Sequence, residues 1–344
     1  MLCKSPSVAA KMRTGGALPK LRQNIITGDW VVISPERAQR PEDFVVEKKE
    51  AKTQSKESCP FCPPNGTAYK TKIAGTETEH LYVIPNKYPA FVDEDEVIEE
   101  GGDFYSSYKS LGAHEIVSFK NHDIELPELD NSALSELFNT YRERMIFHQR
   151  NPIIEYIMAI HNFGAEAGAS VDHPHSQLFA SSIIPNYVAR ELIGAKKYYS
   201  ENKECVFCRL IKEEKDLGIR VISENQNFIA FSFFAARFPF EVWILPKHHS
   251  ARYEKIKSSE IKEFMEVFSV IMKKLSQRLN DPPYNYYIHT APTKLGHPSI
   301  YYHWHLEICP RLSKFGGYEL GSGMVIDVVS PELAAEFLRK ENTG

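Results

Sequence analysis

His173-Pro-His175-Ser-Gln177 closes an ordered series of signals that the chain states twice. Before it run Cys59-Pro-Phe-Cys62, Val83-Ile-Pro-Asn-Lys-Tyr-Pro-Ala-Phe91, Glu115-Ile-Val-Ser-Phe119 with His122 just beyond, a helical stretch 131–149, and Tyr156-Ile-Met-Ala-Ile-His161. The second half runs Cys205-Val-Phe-Cys208, a strand-like stretch 228–240, and Glu241-Val-Trp-Ile-Leu245 with His248 and His249 just beyond. A helical stretch 259–279 follows, then Tyr286-Tyr-Ile-His-Thr290 and His303-Trp-His305. The order is the same in both: C-x-x-C, strand, strand ending near His, helix, strand, H-x-H. An internal duplication is the economical reading, each copy being of ordinary domain size.

The helices fit this scheme. Leu134, Leu137, Tyr141 and Met145, with Phe138 beside them, recur at three- and four-residue spacing behind an expected cap at Asn131 or Ser132. Ile261, Phe264, Met265, Phe268, Ile271 and Leu275 repeat the stripe in the second copy. Segments rich in Ile, Val, Phe and Tyr predict the strands between. Each copy is therefore expected to be an α+β unit, a mostly antiparallel sheet with a covering helix, the two joined pseudo-symmetrically. The expected divisions are a flexible tail over 1–20, an N-terminal catalytic repeat over 21–190 and a C-terminal repeat over 191–344. The charged stretches 48–58 and 93–103 read as surface loops.

Composition narrows the function. The 344 residues are 42% hydrophobic and 25% charged, which describes a folded chain, and 41 basic against 45 acidic residues give a net charge of −4. No global positive field exists to hold a polyanion, so nucleic acid is not an expected partner. The apolar stretch 228–245 is interrupted by Arg237 and Glu241, too broken for a membrane span. The first twenty residues lack the central apolar run of a secretory signal, and a cytoplasmic protein is expected. Six cysteines are too few for a disulfide scaffold in a chain of this length.

Four of those cysteines lie in the two C-x-x-C pairs. Copy one offers Cys59, Cys62, His122 and His173; copy two offers Cys205, Cys208, His249 and His303, with His248 a competitor for His249. Two thiolates and two imidazoles match the tetrahedral preference of zinc in closed, structural sites. Cys3 and Cys309 are left as ordinary thiols.

Along a strand, alternate side chains share a face, so His173, His175 and Gln177 are expected side by side, with Pro174 marking a strand end or edge. A His173 pinned by metal leaves His175 for chemistry. A neutral imidazole is a competent nucleophile toward phosphorus, and a neighbour that keeps its other nitrogen protonated aims the attacking one. Gln177 adds a neutral donor suited to a phosphoryl oxygen. His305 is the internal rival, but its neighbour on the same face is Glu307, and a carboxylate repels an incoming phosphate. The small-residue loop Asn162-Phe-Gly-Ala-Glu-Ala-Gly168-Ala-Ser170 could bring backbone N–H groups close to phosphates. Arg37 and Arg40, behind the strand Trp30-Val-Val-Ile33, are candidate phosphate ligands or a solvated turn. His161 and His289 read as core or loop histidines; His80, His114, His148 and His297 carry no assignment.

Cys59-x-x-Cys62, His122 and Gly168-Ala-Ser170-x-x-His173-Pro-His175-Ser-Gln177 together resemble the galactose-1-phosphate uridylyltransferase family of the histidine-triad superfamily. The resemblance extends from Leu21 to about Leu338 and implies two histidine-triad-like repeats. It implies that His173 binds zinc, that His175 is the nucleophile, and that Arg37, Arg40, Asn86, Asn162, Gly168, Ser170 and Gln177 surround nucleotide and phosphates. Lys314-Phe-Gly-Gly-Tyr318-Glu319 resembles the segment that binds hexose hydroxyls and sugar phosphate from the partner subunit, which implies a homodimer. The implied reaction is a ping-pong nucleotidyl transfer through a nucleotidyl-histidine, from UDP-glucose to galactose-1-phosphate. Departures exist. The loop before H-P-H is short, and the second metal site is similar to that of a sister branch of ADP-glucose phosphorylases, which pass adenylyl groups to phosphate. UDP-glucose with galactose-1-phosphate is the expected substrate pair and ADP-glucose with phosphate the alternative; the second metal is zinc or iron. A histidine-triad nucleotide hydrolase is a further rival.

Overall fold

The computed structural model describes residues 18–34, 44–46, 55–94, 99–102, 104–294 and 298–340. Arg37 and Arg40 lie outside these, as do residues 1–17 of the expected tail. In the first half the strands are β1 (Lys20–Gln23), β2 (Trp30–Ile33), β3 (Leu81–Pro85), β4 (Glu99–Gly101), β5 (Ser106–Tyr108), β6 (Gly112–Phe119), β7 (Tyr156–Phe163) and β8 (His175–Ser181), with helix α1 (Asn131–His148) between β6 and β7. The second half contains α2 (Asn186–Asn202), α3 (Val206–Leu217), β9 (Val221–Glu224), β10 (Phe228–Ser232), β11 (Val242–Pro246), α4 (Ser258–Leu279), β12 (Tyr284–His289), β13 (His305–Pro310), α5 (Gly317–Ser322), β14 (Val325–Asp327) and α6 (Pro331–Arg339). No helix among the described residues is long and apolar enough to cross a membrane.

Nine strands form one antiparallel sheet in the order β3-β6-β8-β7-β12-β13-β11-β10-β9. The order makes the duplication visible. β3-β6-β8-β7 is mirrored by β10-β11-β13-β12, and the halves meet where β7 pairs with β12, Tyr286 opposite His161. β1, β2 and β14 make a separate small sheet, and β4, which falls within the 93–103 stretch read as a surface loop, pairs with β5 just beyond that stretch.

One face of the large sheet carries the main core. Leu134, Leu137, Phe138 and Tyr141 of α1 and Phe264, Phe268, Ile271 and Leu275 of α4 pack there against Leu178, Ala180, Tyr286 and Leu306. At roughly 1.5–3 kcal/mol for each large apolar side chain fully buried, these two stripes are the main source of cohesion. The α1 cap is Asp130, one residue before the expected position, because its carboxylate reaches the N–H groups of both Ser132 and Ala133.

The opposite face is treated differently in the two halves. Over copy two, α2 and α3 lay Val188, Leu192, Phe207 and Leu210 on Ile229, Phe231, Trp243 and Leu245. Over copy one a smaller cluster of Cys59, Phe61, Tyr82, Ile84 and Ile116 lies there, while Tyr156 of β7 joins the cluster beneath α2 and α3. Among the described residues, α-helices roof the copy-two half of this face and none roofs most of the copy-one half.

Candidate active site and metal centres

The C-x-x-C of copy one sits in a tight turn, where the Cys62 carbonyl accepts the Gly66 N–H at 2.7 Å. A Cβ at Gly66 would collide with the Pro60 carbonyl, so glycine is required by this close approach. The Tyr82 hydroxyl ties the turn to the sheet by donating to the Phe61 carbonyl. Cys62 Sγ thereby stands 3.3 Å from His122 Nδ1 and 3.5 Å from His173 Nδ1, and Cys59 Sγ 3.5 Å from His173 Nδ1. Cys59, Cys62, His122 and His173 place ligand atoms within 4.8 Å of one another, as do Cys205, Cys208, His249 and His303. In copy two Cys205 is the N-cap of α3, and Cys208 Sγ is 3.3 Å from His249 Nδ1 and 3.6 Å from His303 Nδ1. His248 turns away toward Glu260, at 3.6 Å.

The donor chemistry fits a cation. His173 Nε2 donates to the Phe119 carbonyl at 2.6 Å, and His303 Nε2 to the Pro246 carbonyl at 3.0 Å, so each ring aims an unprotonated Nδ1 into its cluster. Burial and the neighbouring Cys59 push the Cys62 thiol up to about 11. The hydrogen bond from Cys208, with His249 and His303 nearby, holds Cys205 down to about 3 against the cost of burial. A bound metal would bring the remaining thiols to the thiolate form.

β8 begins at His175, so His173 lies just ahead of the strand instead of within it; Pro174 has no N–H for the ladder. His175 and Gln177 share one face, with Leu178 and Ala180 on the other. His175 Nδ1 donates to the His173 carbonyl at 2.8 Å, which fixes the protonated nitrogen and leaves the Nε2 lone pair without a partner among the described residues. The Phe61 ring meets the imidazole edge-on at 5.4 Å. Burial lowers the His175 pKa, so the ring is neutral at pH 7.

The other sequence candidates divide. Asn86, just past β3, sets Nδ2 3.1 Å from His114 Nε2, and Gln177 Oε1 lies 2.8 Å from that same nitrogen. Asn162 is bound to copy two, its Oδ1 accepting from Asn285 Nδ2 at 2.7 Å. Gly168 adopts φ +82° where the loop turns toward β8, and Ser170 is exposed. Lys314 and Tyr318 are exposed on the segment around α5, where the Glu319 carboxylate caps the Gly316 N–H at 2.9 Å.

Sequence reasoning missed two features. One is His114. The other is Glu191 of α2, which meets His289, His305 and Glu307 with ligand atoms within 4.8 Å, all fully buried. Its only sequence signal is a carboxylate on the inward side of a helix, and its partners lie about a hundred residues away. His161 is buried, its Nδ1 3.0 Å from Ser176 Oγ and its Nε2 without a partner among the described residues. Burial, reinforced by His175, drives His161 down to about 3.

Comparison with known proteins agrees with this geometry. Residues 11–185 match the family model described as galactose-1-phosphate uridyl transferase, N-terminal domain, and residues 191–339 match its C-terminal counterpart. The ADP-glucose phosphorylase of Arabidopsis thaliana is 34% identical over 94% of this chain and 93% of its own length. The galactose-1-phosphate uridylyltransferase of Thermotoga maritima is 28% identical over 93% and 98%. A crystal structure of the Arabidopsis thaliana ADP-glucose phosphorylase with bound ADP-glucose superposes with TM-score 0.79 at 31% identity, covering 95% of this chain and 99% of that one. With both halves matched in order across nearly its whole length, the chain belongs to the galactose-1-phosphate uridyl transferase family of nucleotidyltransferases.

Proposed function

We propose that the protein transfers a nucleotidyl group from a nucleotide sugar by way of His175, and that ADP-glucose with phosphate as acceptor is its substrate pair. The observation that carries the transfer step is the His175 Nδ1–H bond to the His173 carbonyl, which leaves Nε2 as the nucleophile beside Gln177. Nε2 attacks the α-phosphorus; the N–P bond forms as the P–O bond to hexose-1-phosphate breaks, and the sugar phosphate departs with the electron pair. That leaving group is already a good one, so no strong general acid is needed. Gln177 Nε2 donates to a non-bridging oxygen in the transition state, and the His173 carbonyl holds the Nδ1 proton throughout. An acceptor oxygen then takes the nucleotidyl group and regenerates His175.

Two observations support ADP-glucose over the UDP-glucose pair expected from the sequence. The phosphorylase of Arabidopsis thaliana is more similar than the Thermotoga maritima uridylyltransferase, 34% against 28%. The Cys205, Cys208, His249 and His303 cluster, which resembles that of the adenylyl-transferring branch, is assembled. The Lys314–Glu319 segment favours the second reading, uridylyl transfer to galactose-1-phosphate. Zinc in both clusters fits the donor sets, with iron the alternative in the second, and would staple loops to the sheet without entering the chemistry. The same reading makes the protein a cytoplasmic homodimer in which Lys314, Tyr318 and Glu319 of one protomer complete the sugar site of its partner. Wild-type protein incubated with labelled ADP-glucose or UDP-glucose is expected to yield an acid-labile labelled protein, released by phosphate for the first and by galactose-1-phosphate for the second. A His175→Asn variant that still becomes labelled rules out the assignment, and nucleoside monophosphate release without acceptor points to a hydrolase.

A further inference from the structure

His114 had no role in the sequence reading, yet it sits on β6 diagonally across from Gln177 and stacks on Phe179 of β8 at 4.0 Å between ring centres. Its Nδ1 accepts the Ala90 backbone N–H at 3.2 Å, so the proton of the neutral ring resides on Nε2. Burial lowers its pKa and keeps it neutral. Two side-chain amides approach Nε2. Asn86 presents a nitrogen, at 3.1 Å, and its Oδ1 is already taken by the Tyr88 N–H at 2.9 Å. Gln177 presents Oε1, at 2.8 Å. A nitrogen that bears hydrogens cannot accept, so the Nε2 proton has one acceptor here.

We propose that His114 is a positioning residue: by donating from Nε2 to Gln177 Oε1 it fixes the orientation of that amide, so that the Gln177 Nε2 hydrogens face the phosphoryl group transferred at His175. A free glutamine amide can rotate and offer its oxygen to the incoming phosphate, which would repel it. The Ala90 N–H removes that freedom through a chain of two hydrogen bonds, Ala90 N–H to Nδ1 and Nε2–H to Oε1. Among the described residues Gln177 Nε2 has no protein partner, as expected of a donor kept for a ligand. Copy two has no such arrangement: its matching position holds Glu241, whose carboxylate accepts from Trp243 Nε1 at 2.8 Å. A histidine ring here is therefore not a requirement of the repeated fold.

This inference rests on the proposed transfer at His175, and a double-mutant cycle on turnover tests it. His114→Phe keeps the ring and its stacking on Phe179 but removes the donor. Loss on the order of 10- to 100-fold in kcat with KM within about threefold is expected, because the contact Gln177 makes is strongest in the transition state. His114→Gln, which places an amide donor near the Nε2 position, is expected to recover most of the loss. In a Gln177→Ala background, His114→Phe is expected to cost less than about twofold. Equal losses in both backgrounds, or His114→Gln no better than His114→Phe, would overturn the proposal and leave the role of His175 standing. Labelling that persists in His175→Asn would remove the assumed transfer while the cycle still reports whether His114 acts through Gln177.

Discussion

His175 and His305 occupy the same place in two copies of one unit, and their surroundings have opposite characters. Each ring donates from Nδ1 to the carbonyl of the histidine two residues earlier, at 2.8 Å and 3.1 Å, and each is met by the phenylalanine of its own C-x-x-C, at 5.4 Å and 5.2 Å. From there they diverge. Opposite Gln177 the facing strand carries Ile116; opposite Glu307 it carries Trp243, which stacks on His305 at 4.6 Å. His305 Nε2 lies 3.3 Å from Glu307 Oε1, Arg237 and Tyr287 hold the other oxygen of that carboxylate, and α2 delivers Glu191. Burial opposes ionisation, but Glu191 and Glu307 carry His305 up to about 10, so it is a cation with no lone pair to offer. Duplication kept the scaffold that aims the imidazole, while one copy filled the space in front of it with tryptophan and counter-charge. On the proposed reading, the aimed histidine serves as nucleophile in the copy where, among the described residues, no tryptophan stacks on it and no carboxylate faces it.

The largest expected effect breaks this comparison outright. His175→Asn should lower nucleotidyl transfer on the order of 10³-fold or more with little change in melting temperature. His305→Asn should leave turnover within about threefold and cost roughly 3–5 kcal/mol of stability, because Glu191 and Glu307 lose a buried counter-ion. Single-turnover labelling and thermal melts of the two variants would show the opposite pattern if copy two were the reacting one.

Next comes a swap between copies. Gln177→Glu gives copy one the carboxylate of copy two and should cut transfer on the order of 10²-fold, since a charge beside the phosphoryl oxygens repels them where Gln177 would donate. Retained activity in this variant would mean that Gln177 does not face the reacting phosphate. The two metal clusters sharpen the contrast at lower amplitude. Cys62→Ser should lower both metal content and transfer, the latter roughly 10- to 100-fold, because His173 supplies the carbonyl that orients His175. Cys208→Ser should lower metal content and melting temperature with turnover nearly intact. Elemental analysis beside initial rates separates the two.

What the sequence disclosed follows the range of the interactions involved. The assembly of the two Cys/His clusters and the placement of His175 beside Gln177 were legible because their residues fall in short motifs repeated in one order, and the α1 and α4 stripes were legible because burial is periodic along a helix. The join of the two half-sheets at β7 and β12 was not, since register between strands more than a hundred residues apart leaves no local trace. The helices α2 and α3 were missed for a related reason. The inward face of α2 combines Val188, Leu192 and Ala195 with a fully buried Glu191, and a carboxylate in that stripe reads as surface until His289 and Tyr302 are placed against it. His114 is the same case within copy one: its meaning depends on Ala90 and Gln177, which only the sheet order brings to it.

The smallest expected effect concerns the segment that belongs to copy two by sequence and is assigned to the sugar site of the partner's copy one. Lys314 is exposed, and its neighbours Gly316 and Glu319 are engaged with each other, not with the large sheet. A solvated lysine that meets a phosphate contributes about 1 kcal/mol, close to fivefold in binding. Lys314→Ala should therefore raise the KM for the sugar phosphate about fivefold, leave kcat and melting temperature unchanged, and make that KM less sensitive to salt, because one screened charge pair has gone. A KM and salt slope equal to wild type would detach this segment from the site. The copy-one half of the sheet face would then have to supply the whole phosphate subsite from its own residues.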